Sequence, residues 1–236
     1  MKLFRLFFPE KLKLHGWIAI AAVILMNTIV YYGSRLLTSS SYHYDFTTSL
    51  DSRIMFIPAF ILIYGLLGYA QWIFGYYWSA CEDKKTVLFI FGAEIIAKIP
   101  SMIIFLMIPT TMTRPDIIGT DLFSLLVRSL YVMDTPDNLF PSFHVLESYM
   151  LLRTLPLLKK APKWYRMLTP IVSPLVIISI LFVKQHLIVD ILGGIAVCEF
   201  GLLTMNIIYA AVANSPRKDI IISKLKKAAS LYPAQN

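Results

Sequence analysis

Long apolar stretches separated by short polar segments dominate the chain. Reading between successive charges gives six stretches, each close to the length of about 20 residues that a membrane-crossing helix needs. The fourth stretch contains His144, Glu147 and Arg153 and is the least apolar of the six. The predicted spans are Gly16–Ser34, Ile54–Cys81, Thr86–Thr113, Ser142–Leu158, Met167–Val183 and Ile191–Ser215. This pattern predicts an all-α integral membrane protein, a bundle of six transmembrane helices.

The composition agrees with a membrane protein and excludes several other classes. Of the 236 residues, 57% are hydrophobic and 15% are charged, and the mean hydropathy is +0.67. A soluble domain carries about a quarter charged residues. The unbroken apolar runs also differ from the alternating pattern of an outer-membrane β-barrel. The two cysteines, Cys81 and Cys198, lie far apart and indicate neither a disulfide framework nor a thiolate metal site.

The distribution of Lys and Arg predicts the orientation of the spans. With six spans both termini lie on one side, and that side receives sixteen Lys and Arg residues against five on the opposite side. Such a bias places the termini in the cytoplasm. The net charge of +8 is then explained by topology and by attraction to anionic lipid, and it does not indicate nucleic acid binding.

The chain is expected to form a single domain over residues 1–236, since it contains no repeats, Gly/Ser linkers or low-complexity tracts. Residues 1–14 alternate basic and apolar side chains, which suits an interfacial amphipathic segment. Residues 217–236 are expected to form a basic cytoplasmic tail. The first span lacks a small-residue cleavage pattern and is interpreted as retained, not as a signal peptide.

Two of the four histidines, His144 and His186, fall at predicted outward ends of spans. Ionisable groups at membrane depth are costly and are functional candidates for that reason. Pro141 suits the first position of a helix, so the fourth span is expected to begin at Pro141 or Ser142. The free N–H groups of Ser142 and Phe143 would then face outward as an anion site, with His144 in the same turn.

The second histidine has a carboxylate partner in the sequence. His186 and Asp190 are spaced i,i+4, which would put both on one helix face. The carboxylate can then hold one imidazole nitrogen as N–H and leave the other free as a base or nucleophile. Arg114 offers a planar fork for phosphate oxygens, and Lys184 adds a point charge. If the chain stays helical beyond Ile180, that residue and Lys184 share a face.

This set of groups is typical of phosphoryl transfer without a metal: two imidazoles, an orienting carboxylate and cationic side chains that bind phosphate. His186 would attack phosphorus and form a phosphohistidine. His144 would protonate the departing oxygen and then deprotonate the incoming water. Arg114, Lys184 and the two amides would stabilise charge on the phosphoryl oxygens. A zinc site built from His144, His186 and Asp190 is the rival chemistry, but the sequence offers no Cys, third His or supporting signature for it.

These residues resemble the motifs of the type 2 phosphatidic acid phosphatase superfamily of membrane lipid phosphatases and phosphotransferases. The order, the spacing and six spans with an outward site agree with that family over nearly the whole chain. The matching positions are Arg114-Pro115, Pro141-Ser142-Phe143-His144, Ser179, His186 and Asp190. Two positions depart from the family pattern, because Met107 stands where a lysine is usual and Ile180 where an arginine is usual.

The resemblance implies a role for each matching residue. His186 would be the nucleophile, Asp190 its orienting partner and His144 the general acid. Arg114, Ser142 and the Phe143 amide would bind phosphate. No cofactor, metal or obligate protein partner is implied, and the partners are the bilayer and a membrane lipid phosphate.

The implied activity is hydrolysis of a lipid phosphate or diphosphate in the outer leaflet of the cell membrane. Substrates of the undecaprenyl pyrophosphate, phosphatidic acid or phosphatidylglycerophosphate class fit the family. Because the cationic cradle is reduced, a lipid phosphotransferase that uses an alcohol acceptor is an alternative. A non-enzymatic lipid carrier or binding protein on the same scaffold is a third.

Glu94, Lys98 and Glu147 are further ionisable residues within predicted spans. Glu94 and Lys98 are spaced i,i+4 and are expected to form a buried ion pair. Glu147 lies about one turn from His144 and is expected to pack in the interior or line a cavity.

Overall fold

The computed structural model of the protein describes residues 7–214, and most of these residues are helical. We number eight helices and two short strands in this range. The helices are α1 (Leu14–Thr38), α2 (Ser49–Arg53), α3 (Pro58–Cys81), α4 (Lys84–Met107), α5 (Leu122–Met133), α6 (Phe143–Thr154), α7 (Lys163–Phe182) and α8 (Ile188–Asn214). Tyr44–Asp45 (β1) pairs in parallel with Thr110–Thr111 (β2).

Five of these helices, α1, α3, α4, α7 and α8, are long and apolar enough to cross a membrane. The chain is therefore a multi-pass, helical membrane protein of the bundle type. α6 is shorter, with 12 residues followed by a 3₁₀ turn over Leu155–Leu157. Two of the long helices contain a π-helical segment, over Ile29–Gly33 in α1 and over Leu62–Leu67 in α3.

Side-chain caps set where several helices begin. Asp83 accepts from the N–H groups of Lys85 and Thr86 at the start of α4. Asp121 caps α5 in the same manner, and Thr48 forms a capping box with Asp51 at α2. A carboxylate or hydroxyl at these positions satisfies N–H groups that have no partner within the helix.

Close helix packing brings α6 against both α7 and α8, while α8 packs along α4. Gly201 of α8 makes the closest approach, since an added Cβ there would lie 2.2 Å from the carbonyl oxygen of Ala93 in α4. Small residues allow helix backbones to approach within membranes in this way. The core of this contact contains Ala97, Leu146 and Cys198.

The segment that joins α5 to α6 is fastened to α1 and to the β2 strand. Asn138 has a left-handed φ of 53°, and its amide nitrogen donates to the Ser34 hydroxyl at 2.9 Å. The Phe140 N–H donates to the Thr110 hydroxyl at 2.9 Å. These contacts fix the approach of the chain to the start of α6.

Both terminal segments predicted from the sequence fall wholly or partly outside the described range. The basic tail over 217–236 lies outside it, as do residues 1–6 of the predicted interfacial segment. Residues 8–13 are irregular, and the Phe8 ring packs against Phe74 and Tyr77 with centroid distances of 5.3 and 4.8 Å.

Gly201→Ala should destabilise the protein, because the new methyl group would collide with the Ala93 carbonyl oxygen on α4. Overpacking of this kind costs about 1–3 kcal/mol. Thermal unfolding of the detergent-solubilised protein measures the loss. Gly65→Ala is the matched control, since an added Cβ there would meet no atom of residues 7–214 within 4 Å. Equal effects at the two positions would contradict the packing described for α4 and α8.

Candidate active site

The two histidines singled out from the sequence meet at one end of the bundle. His144 lies in the first turn of α6, and His186 lies in the short connection between α7 and α8. Their ring centroids are 5.6 Å apart. Segments more than 40 residues apart therefore present two imidazoles to one site.

Asp190 holds His186, although not on a shared helix face. α8 begins at Ile188, so His186 precedes the helix, and the expectation that both residues lie on one helix is wrong. Asp190 Oδ2 accepts from the Leu187 N–H at 2.8 Å and lies 3.2 Å from His186 Nδ1. The carboxylate favours the proton on Nδ1 and leaves Nε2 with a free lone pair.

Ser142 serves as the cap of α6, and its N–H is not free. The hydroxyl accepts from the Val145 N–H, and the Ser142 N–H donates to the Asp190 carbonyl at 3.2 Å. The expectation of a free Ser142 amide is therefore wrong, because α8 packs directly against this turn. Gly194 permits the approach, since an added Cβ would lie 2.7 Å from the Ser142 carbonyl oxygen.

Aromatic rings hold the His144 side chain in place. The Tyr64 ring stacks on it with a centroid distance of 4.5 Å, and the Trp72 ring lies at 5.2 Å. The Trp72 indole N–H donates to the Ser148 hydroxyl at 3.0 Å, which fixes that ring. Within residues 7–214, His144 Nε2 is buried and has no hydrogen-bond partner.

Arg114 is positioned beside this pair by neighbouring backbone and side chains. Its guanidinium donates to the Asp134 carbonyl and to Gln185 Oε1, each at 2.5 Å, and lies 4.5 Å from the centre of the Tyr131 ring. Its Nε is buried and has no partner among the described residues. Burial lowers the pKa of Arg114, but a guanidinium stays charged in proteins. Donors therefore remain available for an anion.

Lys184 does not continue the helix from Ile180, so the expectation of a shared helix face is wrong. α7 ends at Phe182, and Lys184 has a left-handed φ of 52°. Its ammonium donates to the Asp51 carbonyl at 3.0 Å. Burial lowers the pKa of Lys184, and the nearby Asp51 carboxylate opposes that shift. Ile180 is fully buried in the apolar core.

Two cavities meet at His186. The smaller, of about 380 Å³, has a mixed lining that includes the charged side chains of Arg114, Lys184 and Asp51. The larger, of about 500 Å³, runs between α1 and α3, and its lining includes His144, Phe143 and Glu147. A group bound at His186 can therefore extend in two directions, one more polar and one more apolar.

Three residues that the sequence did not single out shape this site. Gln185 is buried next to His186 and holds Arg114. Tyr64 stacks on His144, and the Asp51 carboxylate accepts from the Ile188 N–H at 2.8 Å. Gln185 directly precedes His186 in the sequence, and this position could have indicated it as a candidate site residue. Tyr64 carries no such signal, because its contact with His144 arises only from helix packing. The capping box of Asp51 with Thr48 is local, but its contact with Ile188 joins segments that are distant in the sequence.

No family model, curated protein sequence or solved structure matches the chain. Within residues 7–214, no group of three or more His, Cys, Asp and Glu side chains is placed to hold a metal ion.

Asp51→Asn should destabilise the protein at neutral pH. Burial alone would raise the pKa of Asp51, but hydrogen bonds from Thr48 and from the Ile188 N–H outweigh it and lower that pKa. The carboxylate then stabilises the fold above its unfolded pKa of about 3.9, and this is lost as pH falls through the lowered folded pKa. Replacing hydrogen bonds to a charged acceptor by neutral ones costs about 1–2 kcal/mol.

Thermal unfolding of both proteins at neutral pH and in acid tests this expectation. The difference between wild type and Asp51→Asn should narrow in acid, where both side chains are neutral. Asp116→Asn, the same change on an exposed loop residue, is the control and should have little effect. A difference that stays constant with pH would refute the assigned role of the carboxylate.

Proposed function

We propose that the protein is a metal-independent phosphohydrolase that acts on a lipid phosphate or diphosphate through a phosphohistidine. The observation that carries this proposal is the pair of imidazoles, 5.6 Å apart, of which His186 is oriented by Asp190. A free Nε2 on one ring and a second ring beside it match the demands of covalent phosphoryl transfer. Arg114 supplies the adjacent positive charge.

In the proposed reaction His186 Nε2 attacks phosphorus, and the bond from phosphorus to the lipid oxygen breaks. His144, in its protonated form, gives a proton to that departing oxygen. Water then attacks the phosphohistidine while His144 takes one of its protons, which releases phosphate and restores both rings. Acid and base roles on a single group in successive steps are common in such two-step reactions.

Phosphate binding in this scheme rests mainly on Arg114, whose Nε is free within the described residues. The backbone N–H of Phe143 at the start of α6 is the second proposed donor to phosphate. Lys184 contributes positive charge from the rim of the smaller cavity. Ser142 acts indirectly by capping α6. Donors aimed at the phosphoryl oxygens stabilise the charge that develops there.

We propose six membrane crossings, with both termini in the cytoplasm and the site on the extracytoplasmic side. The 12 residues of α6 span only about 18 Å at 1.5 Å per residue. Its packing between α7 and α8 and the 3₁₀ extension support a crossing in the interior of the bundle. The excess of Lys and Arg on the side of the termini supports the orientation.

The larger cavity supports a lipid substrate. It is lined by the aromatic side chains of Tyr32, Tyr69 and Trp72, and the first two are more than half exposed on the outer surface of the bundle. In a membrane this surface would face lipid, so a chain could enter from the side. The phosphate would then reach the histidines while the chain remained in contact with the bilayer.

A lipid phosphotransferase is the second candidate function. The smaller cavity also adjoins His186, and the polar side chains of Asp51, Ser52 and Thr47 contribute to its lining. Such a cavity could hold an alcohol that accepts the phosphoryl group in place of water. Phospholipid labelled at phosphorus separates the two functions, since a hydrolase releases free phosphate and a transferase moves the label to the alcohol.

His186→Ala should abolish turnover, with a loss of more than about 10³-fold, because the covalent nucleophile is removed. The assay follows phosphate release from a panel of phospholipids and isoprenoid phosphates by the purified protein. Acid-quenched reactions with labelled substrate should trap a phosphohistidine in the wild type and none in the variant.

His43→Ala is the matched control, since this histidine lies in the loop before β1, where its ring contacts Ser41 and Asp137. It should keep wild-type turnover and the trapped label. Label retained in His186→Ala, or strong inhibition of the wild type by EDTA, would refute the proposed chemistry.

Arg114→Lys should lower turnover and raise KM. Lysine keeps the charge but cannot reproduce the planar fork that contacts the Asp134 carbonyl and Gln185 while it presents further donors. Loss of a charge-assisted hydrogen bond corresponds to about 1.5–3 kcal/mol, so kcat/KM should fall by about 10- to 100-fold. Arg128→Lys, on the exposed face of α5, is the control. Unchanged kinetics in Arg114→Lys would remove this residue from the site.

A further inference from the structure

A second group of polar side chains lies inside the bundle, at the far wall of the larger cavity. It consists of Tyr76 from α3, Glu94 and Lys98 from α4, and Glu147 from α6. Glu94 and Lys98 are almost wholly buried, and Glu147 is 6% exposed. The ion pair predicted from the sequence is confirmed, but it has a third member, so two carboxyl groups share one ammonium.

The contacts within this cluster form a closed ring. Lys98 Nζ lies 2.6 Å from Glu94 Oε1 and 2.9 Å from Glu147 Oε1. Tyr76 Oη lies 2.7 Å from Glu94 Oε1, and it also makes a short hydrogen bond with Glu147 Oε2. Each side chain thus contacts two others.

Counting protons shows that this ring requires one carboxyl group to be neutral. A tyrosine hydroxyl carries one hydrogen, so it can donate to only one of the two carboxyl groups that it contacts. With both ionised, a phenolic lone pair would face an anionic oxygen, and the buried cluster would carry a net charge of −1. Buried, uncompensated charge is strongly unfavourable. One added proton removes both problems.

The hydrogen-bond directions favour Glu147 as the neutral member. Its Oε2–H can donate to Tyr76 Oη, whose own hydrogen then donates to Glu94. Glu94 stays ionised and keeps its shorter contact with Lys98. From α8, the buried thiol of Cys198 donates to the Met150 sulfur at 3.9 Å, and it adds no charge to the cluster as long as it is protonated.

Glu147 connects this cluster to the proposed catalytic site. It lies three residues after His144 on α6, so the two side chains project from the same face of the helix. Both line the larger cavity, together with Tyr31 of α1 and His186. Because His144 Nε2 is buried without a hydrogen-bond partner in residues 7–214, a charged ring there would be costly in the empty site.

We propose that Glu147 stores the proton that charges His144 when an anionic phosphate binds, which rests on the function proposed above. The O–H bond of Glu147 breaks and an N–H bond forms on His144, through water in the cavity. The ring gives this proton to the departing oxygen and takes one from water in the second step. When phosphate leaves, the proton returns to Glu147, so the number of protons on the protein is the same before and after the reaction.

The proton count can be tested without any assay of activity. Infrared spectra of the purified protein at neutral pH should contain the C=O band of a buried carboxylic acid. The band should vanish in Glu147→Gln and in Glu94→Gln, since each variant leaves one carboxylate paired with Lys98. It should persist in Glu199→Gln, because Glu199 contacts Tyr149 and has Arg153 as its own cation at 2.5 Å.

The wild-type spectrum by itself tests whether one carboxyl group of the cluster is protonated, even if a variant fails to fold. A wild-type protein without the band, or a band that survives Glu147→Gln, overturns the proposal. A protein with the band but without phosphate release refutes the proposed function, whereas release without the band refutes only the stored proton.

The role of Glu147 as a positioning residue is tested by the pH dependence of turnover. Glutamine keeps the size and hydrogen bonding of this side chain but holds no transferable proton. Loss of a proton donor lowers turnover by about 10²- to 10⁴-fold. For Glu147→Gln at neutral pH we expect a loss of turnover at the lower end of this range, with KM unchanged. Turnover should recover as the pH is lowered, because solvent then protonates His144. A variant with wild-type turnover and pH profile would overturn the proposal.

Discussion

One residue, Asp190, joins the two chain segments that build the candidate site. Its side chain accepts from the Leu187 N–H and orients His186, while its carbonyl oxygen accepts from the Ser142 N–H at the start of α6. The same residue therefore fastens the first turn of α8 to Leu187, sets the direction of one imidazole and fixes the turn that carries the other, His144. These contacts link the turn that carries His144 directly to the segment that carries His186.

The interior of the bundle imposes a second constraint, since buried polar groups need partners where water is excluded. The ring of Tyr76, Glu94, Lys98 and Glu147 meets that need through contacts among three helices. Such groups are costly to bury and conspicuous in the sequence for the same reason. In this protein they lie beside the candidate site, so the proton that balances their charge is available for chemistry.

The cationic part of the site is small, and the structure shows why. Met107 and Ile180, where the resembled family has lysine and arginine, lie elsewhere: Met107 is 73% exposed near the end of α4, and Ile180 is fully buried in the core. Lys184 donates to the Asp51 carbonyl. Arg114 is thus the principal cation beside the histidines, and Gln185 and the Asp134 carbonyl hold it in position.

The order of apolar spans, the caps and the pairing of Glu94 with Lys98 follow from the sequence, because each depends on residues close together in the chain. The spacing of His186 and Asp190 also indicated their contact, but not the helix boundary at Ile188 that places His186 outside α8. Only the tertiary structure decided that Ser142 gives its N–H to Asp190 and that Glu147 completes a ring with Tyr76. Those contacts join distant helices, whose relative position depends on packing across the whole bundle.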